Sequence, residues 1–419
     1  MKRLVLVGAL ILGGCGDGDS PSSPADAGPT GNDAGPSQGG SDAGGVAEAG
    51  VIEDGGSTSD ASPMIPADIT AQLEVRRAAE GLIALGGAVV NSEGLLAVGA
   101  SGRRSLADTV PVTAEDRWHL GSDTKSMTAM LAAILVEKGS LRWEATLAEV
   151  FSDFAAEMSP GYGAMTVVEL VSHRSGLPNV VPPDLWMELW RNQGTIVEQR
   201  ERFARALLGR APSTTPGTTY EYSNAGFMVA GAMMERLTGR AWEDLMRTEL
   251  FEPLGMTGCG FGPAATVGQL DAPLGHREGS PPSPVPAGPD ADNPPALGPA
   301  GTVHCPLSGW AQYIAAHLRQ GTGRQPILPP DAFARLQADP GIGSAPEGFG
   351  YGYGWFVVEQ DWGGGPVLNH AGSNTMNYAV AWVAPLRNRA YLVVTNYAGP
   401  NVPVSADRAV GDLLGLYPP

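Results

Sequence analysis

The order of its periodicities constrains this chain most. Strand-like apolar runs occur near both ends, and the helical repeat fills the middle. Residues 68–84 read as a helix, and residues 88–90 and 95–98, joined through 91–94, read as a β-hairpin. Residues 118–121 read as a short strand. From Ser122 the pattern turns helical: Met127, Met130, Leu131, Ile134 and Leu135 recur at helical spacing until Gly139 stops them. Helical pieces broken by Pro and Gly follow over 141–255, then a long Pro- and Gly-rich surface loop over 271–301 and a helix over 309–318. Strands return at 355–359, 367–369, 378–383 and 390–395, before a last helix near 405–416. This order predicts an α+β fold: one antiparallel sheet built from both chain ends, flanked by helices, with an inserted helical lobe at about 150–330. A site would lie in the cleft between sheet and lobe.

Residues 1–65 predict an address and a tether. Lys2 and Arg3 precede an apolar run over 4–12, far short of the roughly 20 residues a helix needs to span a bilayer. It has the length of a secretory h-region. Leu12-Gly13-Gly14-Cys15 resembles the lipobox of bacterial lipoproteins, which implies cleavage before Cys15 and acylation of that residue. The other reading is an ordinary signal peptide with an unrelated Cys. The expectation is an exported protein, lipid-anchored in the bacterial cell envelope on the periplasmic or outer-membrane side, meeting the membrane only through that lipid. Residues 16–65 hold nine acids, no Lys, Arg or aromatic, and abundant Gly, Ser, Pro and Ala, which predicts a disordered acidic spacer. Residues 66–419, the expected folded domain, carry 35 acidic and 24 basic side chains, and the whole chain has a net charge of −18. Such acidity repels phosphate, so no nucleic-acid partner is expected.

Three short motifs carry chemistry. The first is Ser122-Asp123-Thr124-Lys125, at the start of a predicted buried helix where Ser122 would be the N-cap. Ser and Lys three apart share a helix face, and the helix N-terminus favours negative charge nearby. The chain has 23 Arg but only three Lys, at positions 2, 125 and 138. Where a bare positive charge suffices, it nearly always uses Arg. Lys can lose its proton inside a protein and Arg cannot, so Lys125 looks chosen for proton transfer. The second motif is Tyr222-Ser223-Asn224, where a Tyr can pass a proton and an Asn can hold an amide. The third is His370-Ala371-Gly372-Ser373 at a predicted strand end, where Gly372 admits a substrate to the backbone and the next N–H can complete an oxyanion hole. Gly35-Pro36-Ser37-Gln38-Gly39 also fits the nucleophile-elbow pattern, but in the spacer it lacks the strand and helix that pattern requires.

Taken in order, these motifs resemble those of the serine β-lactamases and penicillin-binding proteins. They are most similar to the class C branch with its D-aminopeptidases, D,D-carboxypeptidases and β-lactamase-like esterases. Residues 170–178, 216–226 and 253–256, with Pro299-Ala300-Gly301 and Tyr353-Gly354-Trp355, extend the resemblance over roughly 68–418. It implies a β-lactamase/transpeptidase-like fold and a serine hydrolase acting on a small ester, amide or peptide without metal or cofactor. Ser122 would be acylated, Lys125 and Tyr222 would share the proton work with either as base, and Asn224 would support Lys125 and the substrate. The N–H groups of Ser122 and Ser373 would form the oxyanion hole. His173, in Ser172-His173-Arg174-Ser175-Gly176, reads as a structural turn histidine.

One departure matters. These lactamases usually carry Lys-Thr-Gly where this chain has His370-Ala371-Gly372. A largely neutral His is less suited to a carboxylate than a permanent cation. That shifts the expectation toward an esterase, amidase or peptidase. A penicillin-binding envelope sensor or carboxypeptidase with little turnover is the alternative, and a catalytically dead peptide-binding fold is disfavoured because Ser122, Lys125 and Tyr222 are all present. With Cys15 lipidated, Cys259 and Cys305 remain, flanking the Pro-rich loop; they read either as a disulfide or as two buried thiols.

Overall fold

The apolar runs at the two chain ends pair with one another. In the computed structural model, which describes residues 65–323, 326–344 and 348–419, Val90 lies opposite Ala390 and Gly86 opposite Val394. The strand Ala84–Asn91 is thus antiparallel to Arg389–Thr395, the last strand of the chain. The expected leader, Cys15 and the spacer up to residue 64 lie outside the described residues.

This pairing centres an eight-stranded sheet. On one side of it come Gly94–Gly102 and the two-residue strand Ala67–Asp68; on the other come Tyr378–Ala384, Gly365–Ser373, Phe356–Gln360 and Gly350–Tyr351. Neighbours are antiparallel except Ala67–Asp68, which runs parallel to Gly94–Gly102. Side chains alternate between the two faces. Leu85, Val89, Val380, Trp382, Tyr391 and Val393 pack with Leu73 of helix Thr70–Glu80 and with Ala406, Val410 and Leu413 of helix Val402–Leu416. Ala88, Val90, Ala381, Leu392 and Val394 join a larger core shared with helices Thr124–Glu137 and Leu307–Arg319. Each large apolar side chain buried this way stabilises the fold by about 1.5–3 kcal/mol. Burial on both faces is why these strands read as near-continuous apolar runs.

The helical lobe lies between the two halves of the sheet in sequence. Its helix Asn224–Thr238 is buried from Ala225 to Glu235, and the fully buried Arg200 is paired with Glu235 and Glu243. A three-stranded sheet of Trp118–His119, Val303–Cys305 and Gly260–Phe261 connects this region to the start of the Thr124–Glu137 helix. A disulfide joins Cys259, just before the edge strand Gly260–Phe261, to Cys305 of the central strand.

Boundaries differ from expectation in several places; the strand expected at 118–121, for example, ends at His119, and those expected at 88–90 and 95–98 run over Ala84–Asn91 and Gly94–Gly102. The first helix ends at Glu80, where Gly81 takes a left-handed φ of 64°; Leu82 and Ile83 continue its apolar pattern but lead into the next strand, which starts at Ala84. Helix Thr124–Glu137 begins two residues after Ser122, which sits in the 3-10 turn Gly121–Asp123. The strand predicted at 367–369 runs over Gly365–Ser373 and contains the whole His-Ala-Gly-Ser motif. The Pro-rich segment over 271–301 is not all loop: His276–Arg277 pairs with Ser283–Pro284, and Gly298–Gly301 forms a buried helical turn.

Candidate active site

Ser122 is held by a turn built from small polar side chains. Leu120 donates its N–H to Val303 O at 2.9 Å, continuing the small sheet. Thr124 Oγ1 donates to Gly121 O at 2.7 Å and accepts the N–H of Val303 at 3.1 Å. Ser126 Oγ donates to Asp123 O at 2.8 Å. Ser122 is therefore not the cap of the helix. The cap position falls on Asp123, whose backbone is already helical and whose side chain makes no capping bond. The tight turn leaves the Ser122 hydroxyl facing Lys125, one helical turn on.

Lys125 is fully buried. Its Nζ lies 3.0 Å from Ser122 Oγ, 2.7 Å from Asn224 Oδ1 and 2.7 Å from the carbonyl oxygen of Ala300. Burial holds its pKa well below the ordinary lysine value, with the Asp123 carboxylate opposing the shift. A neutral amine has two N–H groups and one lone pair. In the neutral amine the two N–H groups go to Asn224 and Ala300, which offer only acceptors, and the lone pair is left for the Ser122 hydroxyl. Lys138, at the other end of the helix, is an exposed surface cation paired with Glu249. The two lysines that share this helix thus have opposite environments.

Tyr222 reaches the same point from the helical lobe. Ser223 caps helix Asn224–Thr238 through Gly226 N, and its Oγ donates to Pro178 O at 2.8 Å. The N–H of Ser223 donates to His173 Nδ1 at 3.1 Å. His173 has a φ of 59°, is buried, and packs against Tyr222 with ring centres 4.3 Å apart and planes tilted by 42°. This histidine thus orients the Tyr-Ser-Asn turn. Lys125 Nζ lies 4.8 Å from the Tyr222 ring centre. The Tyr222 hydroxyl is buried without a hydrogen-bond partner among the described residues. Burial pushes its pKa up, with the Ser122 hydroxyl opposing, so the phenol keeps its proton at rest.

The edge of the sheet closes the site. A side chain at Gly372 would come within 2.2 Å of Leu120 O and 2.6 Å of Ser122 N. Only glycine lets the strand meet the Ser122 turn, and this contact brings the Ser122 and Ser373 amides together. His370 is fully buried on the same strand: Nδ1 donates to Ala371 O at 2.9 Å and Nε2 accepts from Tyr351 Oη at 3.4 Å. Burial, aided by Lys125, lowers its pKa to about 3, so the ring is neutral.

The structure thus brings together Ser122, Lys125, Tyr222, Asn224, His370, Gly372 and Ser373. Sequence reasoning missed three contributors. The Ala300 carbonyl is a backbone acceptor in a motif noticed only for its resemblance. Tyr351 lies two residues before the Tyr353-Gly354-Trp355 segment that drew notice. Asp123, inside the first motif, is a buried carboxyl whose oxygens lack hydrogen-bond partners among the described residues; burial raises its pKa well above the usual carboxylate range.

Comparison with known proteins agrees with this geometry. The chain is 27% identical over 304 residues to penicillin-binding protein 4 of Amycolatopsis lactamdurans, covering 71% of this chain and 76% of that one. It is 33% identical over 162 residues to the unguisins hydrolase ungD of Aspergillus violaceofuscus, covering 37% of this chain and 28% of that one. The octameric penicillin-binding protein homologue from Pyrococcus abyssi shares the fold, with a TM-score of 0.66 at 21% identity over 82% of this chain and 76% of that one. The Beta-lactamase family profile matches residues 70–415, from the first helix of the sheet to the last, and on that match the chain belongs to the Beta-lactamase family, within the serine β-lactamase and penicillin-binding-protein superfamily.

Proposed function

We propose that the protein is a serine hydrolase that cleaves an ester or amide through an acyl-enzyme on Ser122. The observation that carries this reading is the placement of the buried Lys125 Nζ, 3.0 Å from Ser122 Oγ and held there by Asn224 Oδ1 and the Ala300 carbonyl. Lys125 takes the hydroxyl proton as Oγ attacks the substrate carbonyl carbon. The Ser122 and Ser373 amides stabilise the oxyanion. When the intermediate collapses, the leaving group takes its proton from Tyr222, and Tyr222 is reprotonated from Lys125. Water then attacks the acyl carbon, and the proton it loses returns to Ser122 as the carboxylic acid departs.

A neutral His370 supports a substrate whose acyl part bears no carboxylate at that strand, which favours an ester or a neutral amide over a penicillin. Similarity to a penicillin-binding protein favours a second reading, an acylated sensor or carboxypeptidase that turns over little. The location remains a proposal of its own: export and lipid anchoring through Cys15, tested by metabolic labelling with a fatty acid in wild type and Cys15→Ala.

Hydrolysis of p-nitrophenyl butyrate by wild type beside Ser122→Ala tests the main reading. Turnover lost in the variant supports it. Equal turnover in both proteins overturns the role of Ser122, and stable labelling by a fluorescent penicillin without ester turnover selects the second reading.

A further inference from the structure

His119 and Asp292 form a buried pair that the chemistry above does not use. His119 ends the strand before the nucleophile turn, and Asp292 comes from the Pro-rich segment. Their side chains are each 2% exposed, and His119 Nε2 lies 2.9 Å from Asp292 Oδ2, off the ideal hydrogen-bond direction. On its other side the ring accepts the N–H of Gly121 at Nδ1, at 3.1 Å. A ring nitrogen that accepts carries no proton, so the imidazole is neutral and its proton sits on Nε2, toward the carboxylate.

The carboxylate has a second attachment. Asp292 Oδ1 accepts from Asn374 Nδ2 at 3.2 Å and from the N–H of Asn293 at 2.7 Å. Asn374 directly follows Ser373. Its Oδ1 accepts from the N–H groups of Met376 and Asn377, at 3.3 and 3.0 Å, and from Asn377 Nδ2 at 3.1 Å. A chain of contacts therefore runs from Gly121 through His119 and Asp292 to Asn374. One end is the residue before Ser122, and the other is the residue after Ser373. Between these ends the two backbones touch: a side chain at Gly121, whose φ is +52°, would come within 2.5 Å of Ser373 N. A left-handed glycine is a soft joint, and nothing in its own side chain can hold it.

We propose that His119, oriented by Asp292, is a positioning residue that keeps the Ser122 turn in register with the Ser373 end of the strand. The two amides assigned to the oxyanion are thereby held at a fixed spacing. The inference rests on the acyl-enzyme reading for its effect on rate, but the restraint itself is a property of the fold.

Asp292→Asn is the informative variant. The amide keeps an oxygen for Asn374 and Asn293 and turns its NH₂ toward His119 Nε2. The ring then shifts its proton to Nδ1, which faces the Gly121 N–H donor to donor. Hydrolysis of p-nitrophenyl butyrate is measured with the full protein, together with hydrogen exchange of the segment over 119–124. The expected result is a fall in kcat of about 10- to 100-fold, the scale of small misplacements at a reacting centre, with KM within about twofold. Exchange over 119–124 rises by more than any rise elsewhere in the domain, whatever the fall in melting temperature that the unpaired buried donors cause. His119→Ala behaves likewise, and His119→Asn, whose Oδ1 can stand where Nδ1 does, recovers about tenfold of the loss. Unchanged kcat and unchanged exchange in Asp292→Asn overturn the proposal, as does His119→Asn being no better than His119→Ala. If wild type hydrolyses no ester, the hydrolase reading fails by itself. Exchange then decides the restraint: a rise in Asp292→Asn upholds it and no change overturns it.

Discussion

Asn224 Oδ1 stands 2.7 Å from Lys125 Nζ, joining the helix that begins at Asn224 to the helix that follows Ser122. An amide oxygen can only accept, so this contact uses one N–H of Lys125 and helps direct the remaining lone pair at Ser122. Arg at 125 would keep a cation but never lose its proton. Lys125→Arg is therefore expected to lower kcat/KM by at least about a thousandfold, within the range of lost general-base and nucleophile-activating groups. The wild-type acid limb in kcat/KM should fall well below the ordinary lysine value of 10.5, because burial lowers the pKa. Unfolded Lys125 binds a proton that the folded residue lacks, so stability should rise with pH between the folded value and 10.5, and Lys125→Met should lack that slope. Pre-steady-state kinetics and denaturation at several pH values check both. Near-wild-type turnover in Lys125→Arg would remove Lys125 as the base.

Tyr222 separates function from stability. Its buried hydroxyl meets no partner at good hydrogen-bond geometry among the described residues, and the Ser122 hydroxyl is the one neighbour that interacts with it, so losing the phenol oxygen leaves no other group unsatisfied. Tyr222→Phe should melt at the same temperature as wild type or higher, while kcat falls about 100-fold or more. The loss should be smaller for p-nitrophenyl esters, whose leaving group needs no proton, than for anilides. Equal losses on both would argue against Tyr222 as the donor to the leaving group.

His370 decides between ester and penicillin. The ring is fully buried, and its pKa of about 3 means no protonation step of this residue falls near neutral pH. His370→Lys puts an ammonium where the lactamases have one. It should raise the rate of penicillin acylation relative to ester turnover, at some cost in stability because a second amine is buried near Lys125. Stopped-flow acylation by a fluorescent penicillin, set beside ester hydrolysis, gives the ratio. No gain in that ratio would count against reading this strand as the source of the preference.

How much of this was legible in the sequence depended on whether the signal was local. The strands 378–383 and 390–395 were readable because both their faces are buried, 355–359 because its apolar residues sit among β-formers, and Ser122, Lys125, Tyr222 and Asn224 because their spacing and the scarcity of Lys marked them. The end of the first helix was not, since Leu82 to Leu85 satisfy helical and strand patterns alike and only the left-handed Gly81 divides them. Ala300 acts through its backbone, which no residue type encodes. Asp292 and His119 are far apart in the chain, and no local pattern marks that they meet. The neutrality of His370 could be anticipated from its residue type, but its depth could not.

The Cys259–Cys305 disulfide spans 46 residues and contains the whole Pro-rich segment, including Asp292 and the Ala300 carbonyl. Chain-entropy arguments assign a bridge over such a loop about 4 kcal/mol. Cys305 lies opposite Trp118 in the small sheet, so the bridge also braces the strand that leads to Ser122. Intact mass should rise by two hydrogens on reduction under denaturing conditions, and the reduced protein should melt several degrees lower. Because Ala300 and Asp292 both sit in the closed loop, ester turnover should fall on reduction at temperatures where the protein is still folded. A protein whose mass does not change on reduction holds two thiols instead, and one whose turnover is indifferent to reduction does not use the bridge to support the site.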